Sequence, residues 1–335
     1  MQAADYPPFA ADELDRLFAS FSDLERILIA VSGGSDSMAL LDLMVRWRAA
    51  LAAGPALAAA TVDHRLRAAS RQESLAAARF CTTLGVPHRI LAWQGDKPGQ
   101  GLPAAAREAR YDLLRREGTR IGAALVVTAH TLDDQAETVL MRLARGSGLR
   151  GLAAMRACVE IKGLRIARPL LAVRRERLRA HLSRHGIAWQ DDPTNHDENY
   201  LRPRLRRLMP LLAAEGLTAE RLAEIARKLG RADEAIKHYA RALERLHDSA
   251  GRLERIAYRA APQEVRLRYL AARISLTGGE PLPPPERQLT ALDEQLCDEM
   301  AVKVRRTLGF SIISAGRRYL RITVEKKIGT PLGKL

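Results

Sequence analysis

The feature that most constrains the fold is the unbroken apolar run RILIAV, residues 26–31, which ends in the glycine-rich loop SGGSDS, residues 32–37. A helical pattern follows directly, from about Ser37 to Arg48. A run without polar alternation suits a strand buried on both faces, as in a parallel sheet covered by helices. The same unit then repeats. Residues 57–62 read as a second strand, and Ser70 with Glu73 reads as a capping box opening a helix through about Leu84. Residues 86–93 predict a third strand, 103–117 a helix, 124–129 (ALVVTA) another strand, and a further helix begins near Asp133. This alternation predicts an α/β, Rossmann-like parallel sheet whose ligands bind beyond the carboxyl ends of the strands.

After Ala144 the alternation stops. Residues 145–155 (RGSGLRGLAAM) predict a glycine-rich basic loop that can fold over a substrate. Residues 164–171 predict one more strand, 173–185 an arginine-loaded helix ended by Gly186, and 189–195 (WQDDPTN) a turn. A long helix spans about 217–246, and the stretch from 263 mixes a short helix, the proline cluster 281–285 and a β-like tail at 318–325. The expected organisation is a catalytic domain over 1–215, a helical linker over 216–260 and a smaller C-terminal α+β domain over 261–335.

With 335 residues, 47% of them hydrophobic, the chain can bury a full core. Its 54 lysines and arginines against 39 acids give a net charge of +15, which favours a phosphate-rich partner. Three dispersed cysteines, Cys81, Cys158 and Cys297, exclude a disulfide framework or a four-thiolate zinc site and fit a reducing, cytoplasmic setting. There is no basic-then-apolar leader and no apolar stretch of about 18 to 20 residues, so neither export nor a membrane is expected.

The loop SGGSDS has the chemistry of a phosphate cradle. Gly33 and Gly34 let backbone approach an anion, and the amides opening the next helix favour phosphate oxygens. The lysine of a GxxxxGK[ST] loop is missing, which argues against ordinary γ-phosphate transfer. A bare glycine turn is the plainer alternative, disfavoured by the preceding strand, the serines and Asp36. In TAHTLDDQAET, residues 128–138, Asp133 and Asp134 fall at a helix start, where capping is their simplest role. Asp134 and Glu137 also share one helix face, so they can seat a cationic amine, with His130 just ahead at a strand end. A carboxylate or the histidine could take the amine's proton, and a divalent cation is an alternative occupant. Arg107 and Arg110, one turn apart, suit forked contacts with phosphate or a solvated face. Asp63 and His64 end the second strand. Arg145 and Arg150 lie in the glycine-rich loop. Arg174, Arg175, Arg177 and Arg179, then Arg202, Arg204, Arg206 and Arg207, form a basic series suited to an RNA backbone or simply to solvent. Aromatics are 4% of the chain, leaving Trp189 and Tyr200 for base stacking.

SGGSDS resembles the PP-loop of the ATP pyrophosphatases (the adenine nucleotide α-hydrolase type of fold), which split ATP to AMP and pyrophosphate while adenylating a substrate oxygen. VDHRLR (62–67), REARY (107–111), TAHTLDDQAET, RGSGLRGL (145–152), RPLL (168–171) and DDPTN (191–195) follow in order. Together they resemble the tRNA(Ile)-lysidine synthetase family from about Leu24 to Leu212. The resemblance implies ATP held by Ser32, Gly33, Gly34, Ser35, Asp36, Ser37 and His64, with Mg²⁺ accompanying it near Asp36 and no metal site of protein ligands alone. It implies lysine held by His130, Asp134 and Glu137, and catalysis by Asp36, Arg107, His130, Asp134 and Glu137. It implies tRNA contacts at Arg145, Arg150, Arg174, Arg175, Arg177, Arg204 and Arg206. The implied reaction ligates L-lysine to C2 of the wobble cytidine of tRNA(Ile) with a CAU anticodon. Two alternatives stand beside it. A PP-loop tRNA thiolase of the iron-sulfur type wants clustered cysteines, and a non-catalytic RNA-binding protein would lack Asp36, Asp134 or Glu137. One departure is Pro203, which follows Arg202 where the family pattern usually has asparagine. Whether two copies form a homodimer is left open.

Overall fold

The computed structural model describes residues 6–66, 70–95, 97–191 and 201–325. They form two compact units, Met1–Leu229 and Gly230–Leu335. The first unit is built on a six-stranded sheet of order β3-β2-β1-β4-β6-β5. Its strands are β1 (Arg26–Ala30), β2 (Ala56–Asp63), β3 (His88–Ala92), β4 (Leu125–Val127), β5 (Cys158–Ile161) and β6 (Leu164–Ala167). β1 pairs in parallel with β2 and β4, β2 with β3, and β4 with β6, while β5 alone runs antiparallel, against β6.

Burial explains the apolar runs. Ile27 and Ile29 face a core built with helices α1 (Ala11–Phe18), α2 (Ser35–Ala50), α3 (Ser70–Thr83) and α7 (Arg175–Arg184), in which Trp47 is the largest side chain. Leu28, between them, points the other way and joins Val126, Ile166, Tyr111 and Leu114 under α4 (Leu102–Ile121). Successive residues of one strand thus feed opposite cores, and a polar residue at any of the three would be buried unpaired. Strand order reverses at β1, with β2 on one side and β4 on the other, so a crevice opens at the carboxyl ends of β1 and β4. The loop 31–34 and the segment 128–131 both leave the sheet there.

Several elements differ from the sequence reading. β4 is short because residues 128–130 leave the strand, although the Thr128 amide still donates to the Ala167 carbonyl at 2.9 Å. The expected strand 164–171 is half of a hairpin: Lys162 and Gly163 both take positive φ (50° and 76°), which lets a two-residue turn fold β5 back onto β6. Within the expected loop 145–155 the structure has a one-turn helix, α6 (Leu149–Leu152). α5 (Leu132–Leu143) packs against α8 (Leu201–Ala214) and the start of α9 (Ala219–Arg245) through Leu132, Ala136, Val139, Met209, Ala219 and Leu222. Pro203 lies in the first turn of α8, where the missing amide has no helical partner to lose.

The division between the units falls inside α9. The second unit has an antiparallel sheet of order β7-β10-β9-β8, from β7 (Arg252–Glu254), β8 (Val304–Leu308), β9 (Ser311–Ala315) and β10 (Tyr319–Val324). Helices α10 (Arg255–Ala260), α11 (Gln263–Gly278) and α12 (Glu286–Cys297) cover one face, so this unit is α+β. Arg255, 2% exposed, donates to the Leu296, Ala301 and Gly316 carbonyls and staples α12 to the sheet. A Cβ on Gly278 would lie 1.9 Å from the Gly309 carbonyl oxygen, so only glycine permits that helix end to meet the β8–β9 turn. Among the described residues no helix is long and apolar enough to cross a membrane.

Candidate active site

The loop 32–37 is held by its own serines. Ser37 Oγ accepts the Ser32 amide at 3.0 Å and donates to the Gly34 carbonyl at 2.9 Å, with Ser32 Oγ 3.1 Å away. Gly33 takes φ +88°, and its carbonyl accepts the Gln190 amide at 3.0 Å, so a distant segment pins the loop. Gly34 caps α2, leaving the first-turn amides of the helix facing outward. A Cβ on Gly34 would meet only Ser32 Oγ at 3.6 Å and the Gln190 carbonyl at 3.9 Å. The protein itself has room for that carbon, so the empty space there belongs to the cavity. This is a cradle in which phosphate oxygens can reach backbone amides.

A cavity of about 940 Å³ runs from this loop to the starts of α5 and α7 and to α8. Its floor is acidic. Thr131 caps α5 in a reciprocal box: Asp134 Oδ2 accepts the Thr131 amide at 2.9 Å and Thr131 Oγ1 accepts the Asp134 amide at 3.3 Å. Asp133 instead accepts the Arg175 amide at 2.7 Å and so fixes the start of α7. The capping reading therefore holds for Asp134, whereas Asp133 serves the start of α7 and not of the helix it belongs to; Asp134 still turns its second oxygen to the cavity.

That oxygen meets Arg175. The Arg175 guanidinium donates to Asp134 Oδ1 at 2.9 Å, to Asp36 Oδ2 at 3.0 Å and to Glu137 Oε1 at 3.4 Å. One side chain thus joins α2, which follows the loop, to both acids of α5. Glu137, 1% exposed, also pairs with Arg206 at 2.6 Å and Arg202 at 2.8 Å. Burial pushes Asp134 up, but the Arg175 and Arg202 charges and the Thr131 amide hold it below the usual carboxylate range. At Asp36 burial wins over Arg175 and the carboxyl is raised. Three carboxylates at this depth in Arg-lined surroundings make a cation seat, and the seat is charge-matched by arginines.

His130 is close enough to Asp134 to feel its charge but does not line the cavity. Its Nδ1 is 2.9 Å from Thr128 Oγ1. Burial, with Arg168, Arg107 and Arg110 nearby, lowers its pKa to about 4 against the pull of Asp134, so the imidazole is neutral at pH 7. His64 is likewise lowered to about 4, by burial and then Arg110, and stands edge-on to Trp93 at 5.9 Å. Arg107, exposed, stacks over Tyr111 at 5.0 Å. The two histidines and the arginines of α4 make a basic, neutral-imidazole flank beside the acidic floor. Among the described residues no group of three or more histidine, cysteine or carboxylate side chains is arranged to hold a metal ion.

The basic series divides. Arg145, Arg150 and Arg204 are exposed. Arg174 pairs with Asp133 at 3.4 Å and lines the cavity, as do Arg175, Arg179 and Arg206. Arg177 grips Glu13 with both Nη atoms, at 2.5 and 2.6 Å, and covers the Phe9 ring at 4.0 Å. It therefore ties α7 to α1 rather than presenting a free charge. Tyr200 and residues 192–195 of the DDPTN motif, with Arg67 of VDHRLR, lie outside the described residues. The sequence reading missed the bridging place of Arg175, the pin at Gln190 and the buried Arg168, 4% exposed, whose Nη1 donates to the Arg156 carbonyl at 2.9 Å.

Comparison with known proteins agrees with this geometry. Residues 8–212 match the family model of the PP-loop domain. The chain is 46% identical over 344 residues to the tRNA(Ile)-lysidine synthase of Bradyrhizobium sp. strain BTAi1, covering 96% of each. It is 44% identical over 329 residues to that of Rhodopseudomonas palustris, covering 94% of each. Among solved structures, the U34-tRNA thiolase NcsA of Methanococcus maripaludis, with its 4Fe-4S cluster, aligns with a TM-score of 0.58. That alignment has 16% identity over 67% of this chain and 77% of the other, a likeness of fold. Here Cys81 is buried under β2 and β3 and Cys158 is exposed on the opposite sheet edge, so the two cannot share a cluster. A PP-loop cradle, an acidic floor in the crevice and near-full-length similarity lead to one conclusion: the chain belongs to the tRNA(Ile)-lysidine synthase family.

Proposed function

We propose that this protein joins the ε-amine of L-lysine to C2 of the wobble cytidine of tRNA(Ile) bearing a CAU anticodon, converting ATP to AMP and pyrophosphate. The observation that carries the reading is one cavity lined by the cradle of Ser32 to Ser37 and by Asp134 and Glu137 of α5, with Arg175 linking those acids to Asp36 of the cradle. The loop amides take phosphate oxygens, and the missing loop lysine leaves the α-phosphorus as the centre offered to an oxygen nucleophile. The cytidine C2 oxygen attacks it and pyrophosphate departs. The amine then attacks C2 as the C2–O bond breaks and AMP carries away the electron pair. Neutral His130 or a seat carboxylate takes the ammonium proton. Arg107 and His64, on the flank beside His130, suit contacts with the nucleotide. Asp36, beside the loop, is the acid suited to Mg²⁺ arriving with ATP, which would neutralise phosphate charge. A shared cavity keeps the adenylate from water.

Exposed Arg145, Arg150 and Arg204 suit the RNA backbone. In the second unit, strand register puts Arg252, Arg321, Ser314 and Arg305 in one row across four strands, with all three arginines exposed. That row suits tRNA phosphates, and a cytoplasmic setting follows from such a substrate. The test is incubation with ATP, lysine and purified tRNAs, followed by mass spectrometry of the nucleosides. A cytidine heavier by one condensed lysine, with AMP released, is expected; release of ADP, or turnover without lysine, would overturn the reading.

A further inference from the structure

The seat for the amine is not an open set of carboxylates. Its three acids face three guanidiniums, from Arg175, Arg202 and Arg206, so no uncompensated negative charge is left for a substrate ammonium. The three arginines are held differently. Arg175 is anchored at both ends: its amide is bonded to Asp133, and α7 buries Leu178 and Leu182 in the main core. Arg202 and Arg206 come from α8, which is only shallowly buried. Of the helix only Pro203 is fully buried, Met209 is partly so, and Leu208 and Leu211 are 47% and 67% exposed. Ion pairs to Glu137 thus join shallow apolar contacts in attaching α8 to α5. Glu137 is buried, but the Arg202 and Arg206 side chains are 40% and 29% exposed, so a competing anion can reach the guanidiniums from the solvent side, and a guanidinium binds phosphate bidentately at least as well as carboxylate.

We propose that Arg202 and Arg206 are exchangeable counter-ions of the amine seat: they occupy Glu137 until a phosphate group takes them, and only then does lysine gain its carboxylate. This rests on the reading of the site as a lysine ligase. It makes the amino acid a late ligand, admitted once the phosphate-bearing substrates are in place. By linkage, phosphate binding and lysine binding strengthen each other. The phosphate comes from ATP or from the tRNA backbone, and the two sources are separable.

The experiment is calorimetric titration of lysine into the full-length protein alone, with a non-hydrolysable ATP analogue, and with tRNA. Lysine is expected to bind about tenfold or more tightly in at least one loaded arm, and the arm that does so names the phosphate source. An Arg202→Met, Arg206→Met double variant is expected to bind lysine in its free state about as tightly as the loaded wild type, with the coupling gone. Arg206→Lys, which keeps a cation, is expected to retain coupling and serves as the folding control. Equal lysine affinity in every wild-type arm, or weaker binding by the free double variant than by free wild type, would sink the exchange. Failure of lysine to bind in any arm, with the variants folded, would sink the ligase reading instead.

Discussion

Gly33 and Gly34 are adjacent, yet the backbone needs them for different reasons, and substitution separates the two. Gly33 adopts φ +88°, a conformation that costs an L-residue about 1–2 kcal/mol. Gly34 sits at φ −73°, which any residue accepts, and a Cβ added there would come no closer than 3.6 Å to another protein atom. Gly33→Ala should therefore lower the unfolding free energy by about 1–2 kcal/mol, measured by denaturant titration. Gly34→Ala should leave stability within about 0.5 kcal/mol while weakening ATP binding at least about tenfold, because the added methyl fills space meant for a phosphate oxygen. If Gly34→Ala bound ATP like the wild type, the cradle would lie elsewhere. The acids of α5 carry a comparable double duty: Asp134 caps its helix with one oxygen and faces Arg175 with the other, so neither role excludes the other.

At the scale of elements, α7 corrects the reading of its own sequence. Arginines at 174, 175, 177 and 179 look like one RNA-facing stripe, but Arg177 closes on Glu13 and Phe9 while Arg175 closes on the site acids. Arg177→Ala should cost about 1–3 kcal/mol of stability through the lost fork and ring contact, yet leave the salt dependence of tRNA binding unchanged. A flatter salt slope in that variant would return Arg177 to the RNA. The reason the stripe misleads is distance along the chain. Arg177 meets a partner 164 residues away and Arg175 one 139 away, and no local pattern encodes such pairings. The loop 32–37 was legible because strand, glycines and serines are contiguous, and β1 and β4 because burial on both faces leaves apolar runs. β8 (VRRTL) and β5 (CVEI) were not, since a strand with one face in water looks polar, and α8 hides its helix behind two prolines and four arginines.

Over the whole molecule, a charge of +15 spreads unevenly: part of it is held in internal ion pairs, and the first unit buries His64 and His130 with arginines nearby, both of which oppose their protonation. That has a consequence for stability against pH. His64 and His130 fall from 6.5 to about 4 on folding, and burial lowers His88 as well. Between pH about 4 and 6.5 the unfolded chain binds these protons and the folded unit does not, so stability must rise with pH across that window and level off above it. The raised carboxyls of Asp36 and Asp133 act oppositely, losing stability as pH rises from the ordinary carboxylate value through their raised ones, while depressed Asp134 and Asp42 lose stability only below it. Across this window His64 and His130 each contribute a rising slope of order 1 kcal/mol per pH unit, which the raised carboxyls of Asp36 and Asp133 oppose until they have ionised. Thermal unfolding followed over this range should show the melting temperature climbing to about pH 6.5, and a His64→Gln, His130→Gln variant should flatten most of the climb. An equally steep climb in the double variant would mean that both imidazoles are as readily protonated in the folded protein as in water, and that His130 is no neutral base poised beside the acids of α5.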